Sequence, residues 1–213
     1  MNTKTAVNVQ VPVTYDYLKT RFSSYRSPKD KISRLTASGE LIRLKKGLYL
    51  PVPENGDNAA PPELIANMLF GPSYVSLESA LSFYGMIPER VYSVRSVTTK
   101  RGRVFETPVG RFDYSKARRD YFSIGIRPVF RESVCFLIAA PEKAICDMII
   151  MTAGLKIQSV KAMREYIEED MRIDINDIGA IDMSIIDHVF NTGIKKREIG
   201  FLKEYIKKGS GLV

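Results

Sequence analysis

Apolar positions recur along this chain with two different periods, and each change of period marks an element. Val7, Val9, Val11 and Val13 stand at every second position and predict an extended arm or short edge strand. Leu18 and Phe22, four apart, predict a helix from Tyr15 to about Phe22 with Thr14 as its cap. Ile32 and Leu35 give the narrow apolar stripe of a second helix. It starts at Pro28, where a missing N–H costs nothing, is capped by Ser27, and stops at Gly39. Glu40 to Leu44 and Leu48 to Leu50 then read as the two strands of a hairpin, with Lys45-Lys46-Gly47 as a turn that puts two lysines at the tip. Helix, turn, helix and hairpin together have the pattern of a winged helix-turn-helix. Such a unit ordinarily has one more helix in front, and no stretch before Thr14 supplies it. Its packing surface must come from the arm, from the following domain or from a partner.

The stretch from Pro51 to Pro62 is rich in Pro, Gly and Asn and reads as a linker, which divides the chain into residues 1–52, a linker at 53–61 and a second domain at 62–213. In that second domain Pro62 opens a helix, and Ser76 caps another from Leu77 to Tyr84, closed by Gly85. From Tyr92 the period becomes two. Val94 to Thr99, Val104 to Thr107 and Arg111 to Tyr114 predict an antiparallel meander, followed by strands at Ile124 to Phe130 and Val134 to Ile138. Pro141 starts an apolar helix to about Met151. Three more helices are expected: one capped by Ser159, one near Met183 to Phe190, and one within Lys195 to Lys208. The predicted class is α+β: an N-terminal winged helix-turn-helix, then a larger mixed α/β domain with an antiparallel meander and C-terminal helices.

Charge sharpens this picture. The chain holds 32 Lys and Arg against 24 acids, a net +8. Residues 15–50 alone carry nine basic residues against three acids, so most of the excess lies on the helix and hairpin pattern. Duplex DNA fits that distribution, because phosphate contacts supply most of the affinity for a duplex. The candidate DNA contacts are Lys29, Lys31 and Arg34 on or beside the groove-facing helix, and Arg43, Lys45 and Lys46 on the hairpin. A second basic segment, 100–119, has seven basic residues against two acids. Lys100, Arg101, Arg103, Arg111, Arg118 and Arg119 are candidates for binding nucleic acid or an anionic partner; the alternative is a set of solvated strand edges. The interleaved Phe105, Phe112 and Tyr114 alternate and are expected to face a core. Residues 165–187 hold eight acids against one Arg, the mark of a solvated helical face, with an internal cover for the basic segment or a docking surface as alternatives.

Other chemistry is poorly represented. A composition 45% hydrophobic and 26% charged fits a globular protein. No apolar run approaches the roughly 18 residues of a membrane span. The first residues lack a secretory signal, so a cytoplasmic protein is expected. Cys135, Cys146 and the single His188 give no zinc spacing; buried, reduced thiols and a core or surface histidine are expected instead. There is no GxxxxGK, GxGxxG or HExxH, and no Asp-x-Lys or Glu-x-Lys of the metal-dependent nucleases. No catalytic residue, metal or cofactor is therefore assigned. Glu78, Glu142 and Asp147 read more readily as structural carboxylates than as catalytic ones, and Asp147 can pair with Lys143 at i, i+4.

Several ordered blocks carry a family resemblance: Gly47-Leu48-Tyr49, the run from Tyr74 to Glu89, the run from Thr107 to Tyr114, and Ala140-Pro141-Glu142-Lys143-Ala144-Ile145-Cys146-Asp147. Across residues 27–150 the chain resembles the AbiEi-type antitoxins, a family of transcriptional regulators of viral defence systems; beyond about residue 155 the likeness fades. The resemblance implies a winged helix that represses its own operon. It also implies a C-terminal domain that opposes a co-encoded nucleotidyltransferase toxin in a type IV, abortive-infection system, with no catalysis by this chain. Recognition of an inverted-repeat operator by two copies follows from the general two-fold habit of such repressors. The alternatives are a plain winged-helix regulator with a sensing or interaction domain, an adaptor with an incidental basic hairpin and, further off, a nucleic-acid-processing enzyme.

Overall fold

The computed structural model describes residues 11–53, 60–89, 91–131, 134–173 and 181–209. Strand β1 (Val13–Thr14) runs straight into helix α1 (Tyr15–Arg21), whose first turn is held by the Tyr17 amide donating to Thr14 Oγ1 at 3.2 Å. Ser27 serves α2 (Pro28–Ala37) in the same way, accepting from the Asp30 amide at 3.4 Å. Both caps satisfy amides that the first helical turn leaves free. A hairpin follows, β2 (Leu41–Lys45) and β3 (Leu48–Pro51), and β1 pairs with β3 to give the sheet order β1-β3-β2. The alternating Val7 and Val9, and residues 54–59 of the expected linker, lie outside the described residues.

The hairpin turn is shorter than the lysine-rich tip expected from sequence. Lys45 is the last residue of β2, and Lys46 and Gly47 alone make the turn, with Gly47 at φ +81°, where a side chain would be strained. A register shift between Arg43 and Lys45 places Lys45 opposite Leu48. Leu44 is the extra residue of a β-bulge, which turns Lys45 onto the face that carries Leu48.

The hairpin divides its side chains between two cores. Leu41 joins Val13, Leu18, Phe22, Ile32 and Leu35 in a small cluster beneath α1 and α2, with Tyr49 packed against it. Leu44, Leu48 and Leu50 instead belong to the large cluster of the second domain, together with Ala60, Leu64 and Leu69. Period-two alternation produces this split, since neighbouring strand residues face opposite ways.

The second domain is built on a six-stranded sheet of order β6-β7-β5-β4-β9-β8. Its strands are β4 (Ser73–Val75), β5 (Ser93–Thr98), β6 (Arg103–Thr107), β7 (Gly110–Lys116), β8 (Ile126–Arg131) and β9 (Val134–Ala139). The expected antiparallel meander is not what forms. The hairpin β6-β7 is antiparallel, but β7 inserts beside β5 in parallel register, and β4 and β9 are also parallel. Burial explains the order: Phe112 and Tyr114 of β7 are buried, which suits an interior strand, whereas β6 exposes most of its residues and takes the edge. As the alternation of the aromatics suggests, Phe105, Phe112 and Tyr114 pack on the core.

Helices surround this sheet. They are α3 (Pro62–Leu69), α4 (Leu77–Phe83), the short α5 (Arg119–Phe122), α6 (Pro141–Met151), α7 (Val160–Glu165), α8 (Met183–Asn191) and α9 (Lys196–Gly209). Ser159 caps α7 through the Ala162 amide at 3.1 Å, and α7 runs on into a π turn at Tyr166–Asp170. Gly125 lies where α6 and α8 meet, at φ +62°; a Cβ there would stand 2.8 Å from Ile185 Cγ2 and 2.9 Å from Lys143 Cβ, so no side chain fits. The architecture is mixed α+β with two sheets. Among the described residues no helix is long and apolar enough to cross a membrane.

Candidate nucleic-acid interface

Helix α2 is split cleanly. Ile32 and Leu35 are buried beneath it, while Lys29 and Arg34 are exposed. Lys31 is half-buried, its ammonium 5.4 Å from the centre of the Tyr25 ring, and Tyr25 meets Phe22 edge to face at 5.8 Å. The small core therefore fixes the helix while Lys29 and Arg34 remain available to solvent. Arg43 and Lys46 on the hairpin are exposed as well.

Lys45 behaves differently from the solvent-facing tip lysine expected. It is half-buried, and its ammonium donates to the carbonyl of Leu69, at the end of α3, over 2.6 Å. Its pKa is lowered, first by burial and then by repulsion from Lys100 and Arg103. Two basic segments that lie far apart in sequence thus meet at the junction between hairpin and second domain.

The six candidates of the second segment divide by their partners. Arg111 is ion-paired to Glu106 and Asp113, each at 3.1 Å, and Arg118 to Asp120 at 2.5 Å. Lys100 donates to the Gly71 carbonyl at 2.5 Å and lies 5.2 Å from the Phe70 ring centre. Arg103 stacks over Phe105 at 4.8 Å. Arg101 and Arg119 are exposed and form no ion pair among the described residues. Carboxylates therefore neutralise Arg111 and Arg118, and the cationic character remains at Lys100 to Arg103, Lys116 and Arg119.

The described acids of the run 165–187 take partners other than the basic helix. They are mostly exposed and pair locally: Glu165 with Lys161, Glu168 with Arg164 and the Tyr205 hydroxyl, and Asp187 with Lys203. Residues 174–180 lie outside the described residues.

The three weighed carboxylates serve different partners. Glu78 accepts two bonds of 2.6 Å from Arg95 at the wall of a cavity of about 420 Å³, also lined by Leu81, Glu89, Met148 and Met171. Glu142 accepts from the Asp182 amide at 2.9 Å and so ties α6 to the start of α8. Asp147 is fully buried in a polar knot. It pairs with the fully buried Lys143 at 3.0 Å and accepts from Ser76 Oγ at 2.6 Å, from Tyr74 at 3.1 Å and from Tyr121. The Lys143 ammonium also lies 2.9 Å from the centre of the Tyr121 ring. Ser76 stands at the start of α4, but its hydroxyl is committed to Asp147 and makes no cap bond, contrary to the sequence expectation. Leu77 beside it is held at φ +56°, a left-handed conformation that costs a branched L-residue about 1–2 kcal/mol.

Cys146 is buried, whereas Cys135 on β9 is exposed rather than buried, because it points away from the core that its neighbour Phe136 enters. His188 is exposed on α8. Among the described residues, no group of three or more His, Cys, Asp or Glu side chains is placed to hold a metal ion. Compared with models of known protein families and with curated proteins, the chain matches none.

Proposed function

We propose that this chain is a DNA-binding repressor whose second domain acts as an antitoxin against a co-encoded nucleotidyltransferase. The observation that carries the DNA half is the pairing of exposed Lys29 and Arg34 on α2 with exposed Arg43 and Lys46 on the adjoining hairpin. The sheet order β1-β3-β2 around two short helices supports reading the unit as a winged helix, with α2 in the major groove and the hairpin turn on phosphate or in the minor groove. The second domain, packed against the inner face of the hairpin, takes the place of the helix that usually comes first. A single chain then reads one half-site, and two copies read an inverted repeat.

Replacing Lys46 by Ala is expected to weaken duplex binding uniformly across sequences and to lower the slope of log K against log salt by about one. Arg34→Ala is expected to cost about 1–3 kcal/mol and to relax sequence preference at one position. Fluorescence anisotropy on labelled duplexes reads both. Unchanged affinity in both variants would overturn the assignment of this face.

The antitoxin half rests on the family-like blocks of the second domain. It is tested by co-expression: a nucleotidyltransferase encoded in the neighbouring reading frame should be toxic alone and harmless with this chain, and should stay harmless with Lys46→Ala. A second reading, a plain regulator with a sensing domain, is favoured by the cavity at Glu78 and Arg95. It takes over if no such toxin is rescued.

A further inference from the structure

We propose that Lys45, Lys100 and Arg103 form one phosphate-binding seam across the junction of hairpin and second domain, so that the backbone of a duplex held by α2 continues over the second domain. This rests on the DNA-binding reading and extends it, because it assigns part of the second basic segment to DNA.

The three cations are immobilised on one scaffold. Lys45 is anchored on the Leu69 carbonyl and Lys100 on the Gly71 carbonyl, two residues apart on either side of Phe70. Lys100 lies over the Phe70 ring and Arg103 over the Phe105 ring, and those two rings are 5.5 Å apart. Cations on a surface usually either pair with carboxylates or spread apart. Here none of the ion pairs among the described residues involves Lys45, Lys100 or Arg103. The Lys45 pKa is lowered first by burial and then by repulsion from Lys100 and Arg103, so these three charges act on one another. Stacking and carbonyl anchors have already fixed the side chains, so an arriving anion need not order them, and it relieves the repulsion.

Duplex DNA is the partner that continuity favours. Lys45 adjoins Lys46 on the same hairpin, and each strand of a duplex supplies a negative charge about every 3.4 Å of helix axis, so the track that Lys46 starts does not end there. The seam also explains why the hairpin bulge turns Lys45 inward: a lysine left at the tip would serve the groove, whereas this one meets Lys100 and Arg103.

The test uses the full chain and a labelled 40-base-pair duplex of mixed sequence, titrated by anisotropy across a salt series. Gln replacements remove the charge while keeping a flexible polar side chain. K100Q/R103Q should lower the slope of log K against log salt by about two and weaken binding about tenfold or more near 0.1 M salt. K196Q/R197Q, a charge-matched change on α9, should leave the slope unaltered. Equal thermal unfolding of K100Q/R103Q and the parent confirms that folding is not the cause; if it unfolds early, R103Q alone should still lower the slope by about one. The seam is overturned if K100Q/R103Q matches the parent while Lys46→Gln lowers the slope, a result that leaves the DNA reading standing. It is also overturned if the loss occurs on an RNA duplex of the same sequence and not on DNA. Failure of the parent to bind any duplex at low salt overturns both readings together.

Discussion

Asp147→Ala is expected to destabilise the protein by about 3–5 kcal/mol, the cost of leaving a buried ammonium without its counter-charge. Lys143 is 0% exposed and cannot reach water, and Tyr74, Tyr121 and Ser76 lose their acceptor at the same stroke. The network joins β4, α5 and α6, so its loss loosens the sheet and the helices on it together. Lys143→Met should cost less, because three hydroxyl donors still hold the carboxylate after the ammonium is gone. Urea unfolding followed by far-ultraviolet circular dichroism gives both numbers. A loss below about 1 kcal/mol for Asp147→Ala would show that water reaches the pocket and that the knot is dispensable.

The same region makes the fold labile to alkali. Burial raises the Cys146 thiol from 9.0 to about 12, and burial, followed by the Asp147 charge, raises the Tyr74 and Tyr121 hydroxyls well above 10.0. Tyr114 is raised by burial alone. Each of these groups has a folded pKa above its unfolded value, so its contribution is complete below the unfolded pKa and is lost as pH rises through the folded one. Lys143 opposes them: burial lowers its pKa, so the cost of its charge is present below the folded value and relieved above it. Four acids outweigh one base. Stability should hold from pH 7 to about 9 and then fall by about 3–6 kcal/mol by pH 11. Urea midpoints at pH 7.5, 9, 10 and 11 report the curve. Cys146→Ala should remove the part that begins near pH 9, and a flat parent profile would contradict the burial-driven shifts.

Local features were legible in the sequence, and features fixed by distant residues were not. The caps at Thr14, Ser27 and Ser159 depend only on amides three residues away, and each forms. Ser76 has the same local credentials, but its hydroxyl is claimed by a carboxylate 71 positions along the chain. The strand segments could be read from their alternation. Their neighbours could not, because the insertion of β7 between β5 and β6 depends on where Phe112 and Tyr114 find a core. On the candidate interface, the exposed positions Lys29, Arg34 and Lys46 follow from the stripe of Ile32 and Leu35 and from the glycine turn. The inward rotation of Lys45 needed a one-residue bulge that no composition signals. Its meeting with Lys100 and Arg103 is a product of tertiary packing alone.

The hairpin of residues 41–51 is a party wall, with one core plastered to each side. Leu44, Leu48 and Leu50 face the second domain, and burying them is worth roughly 5–9 kcal/mol in all, comparable to the whole stability of many small domains. A cut placed after Val52, where composition suggests the seam between two modules, would strip that wall bare. The severed N-terminal piece would present three leucines to water and find cover in aggregates or in copies of itself. The two halves are thus not beads on a string but tenants of one structure, and a fragment meant to represent the basic helix must keep the part of the second domain that covers Leu44, Leu48 and Leu50.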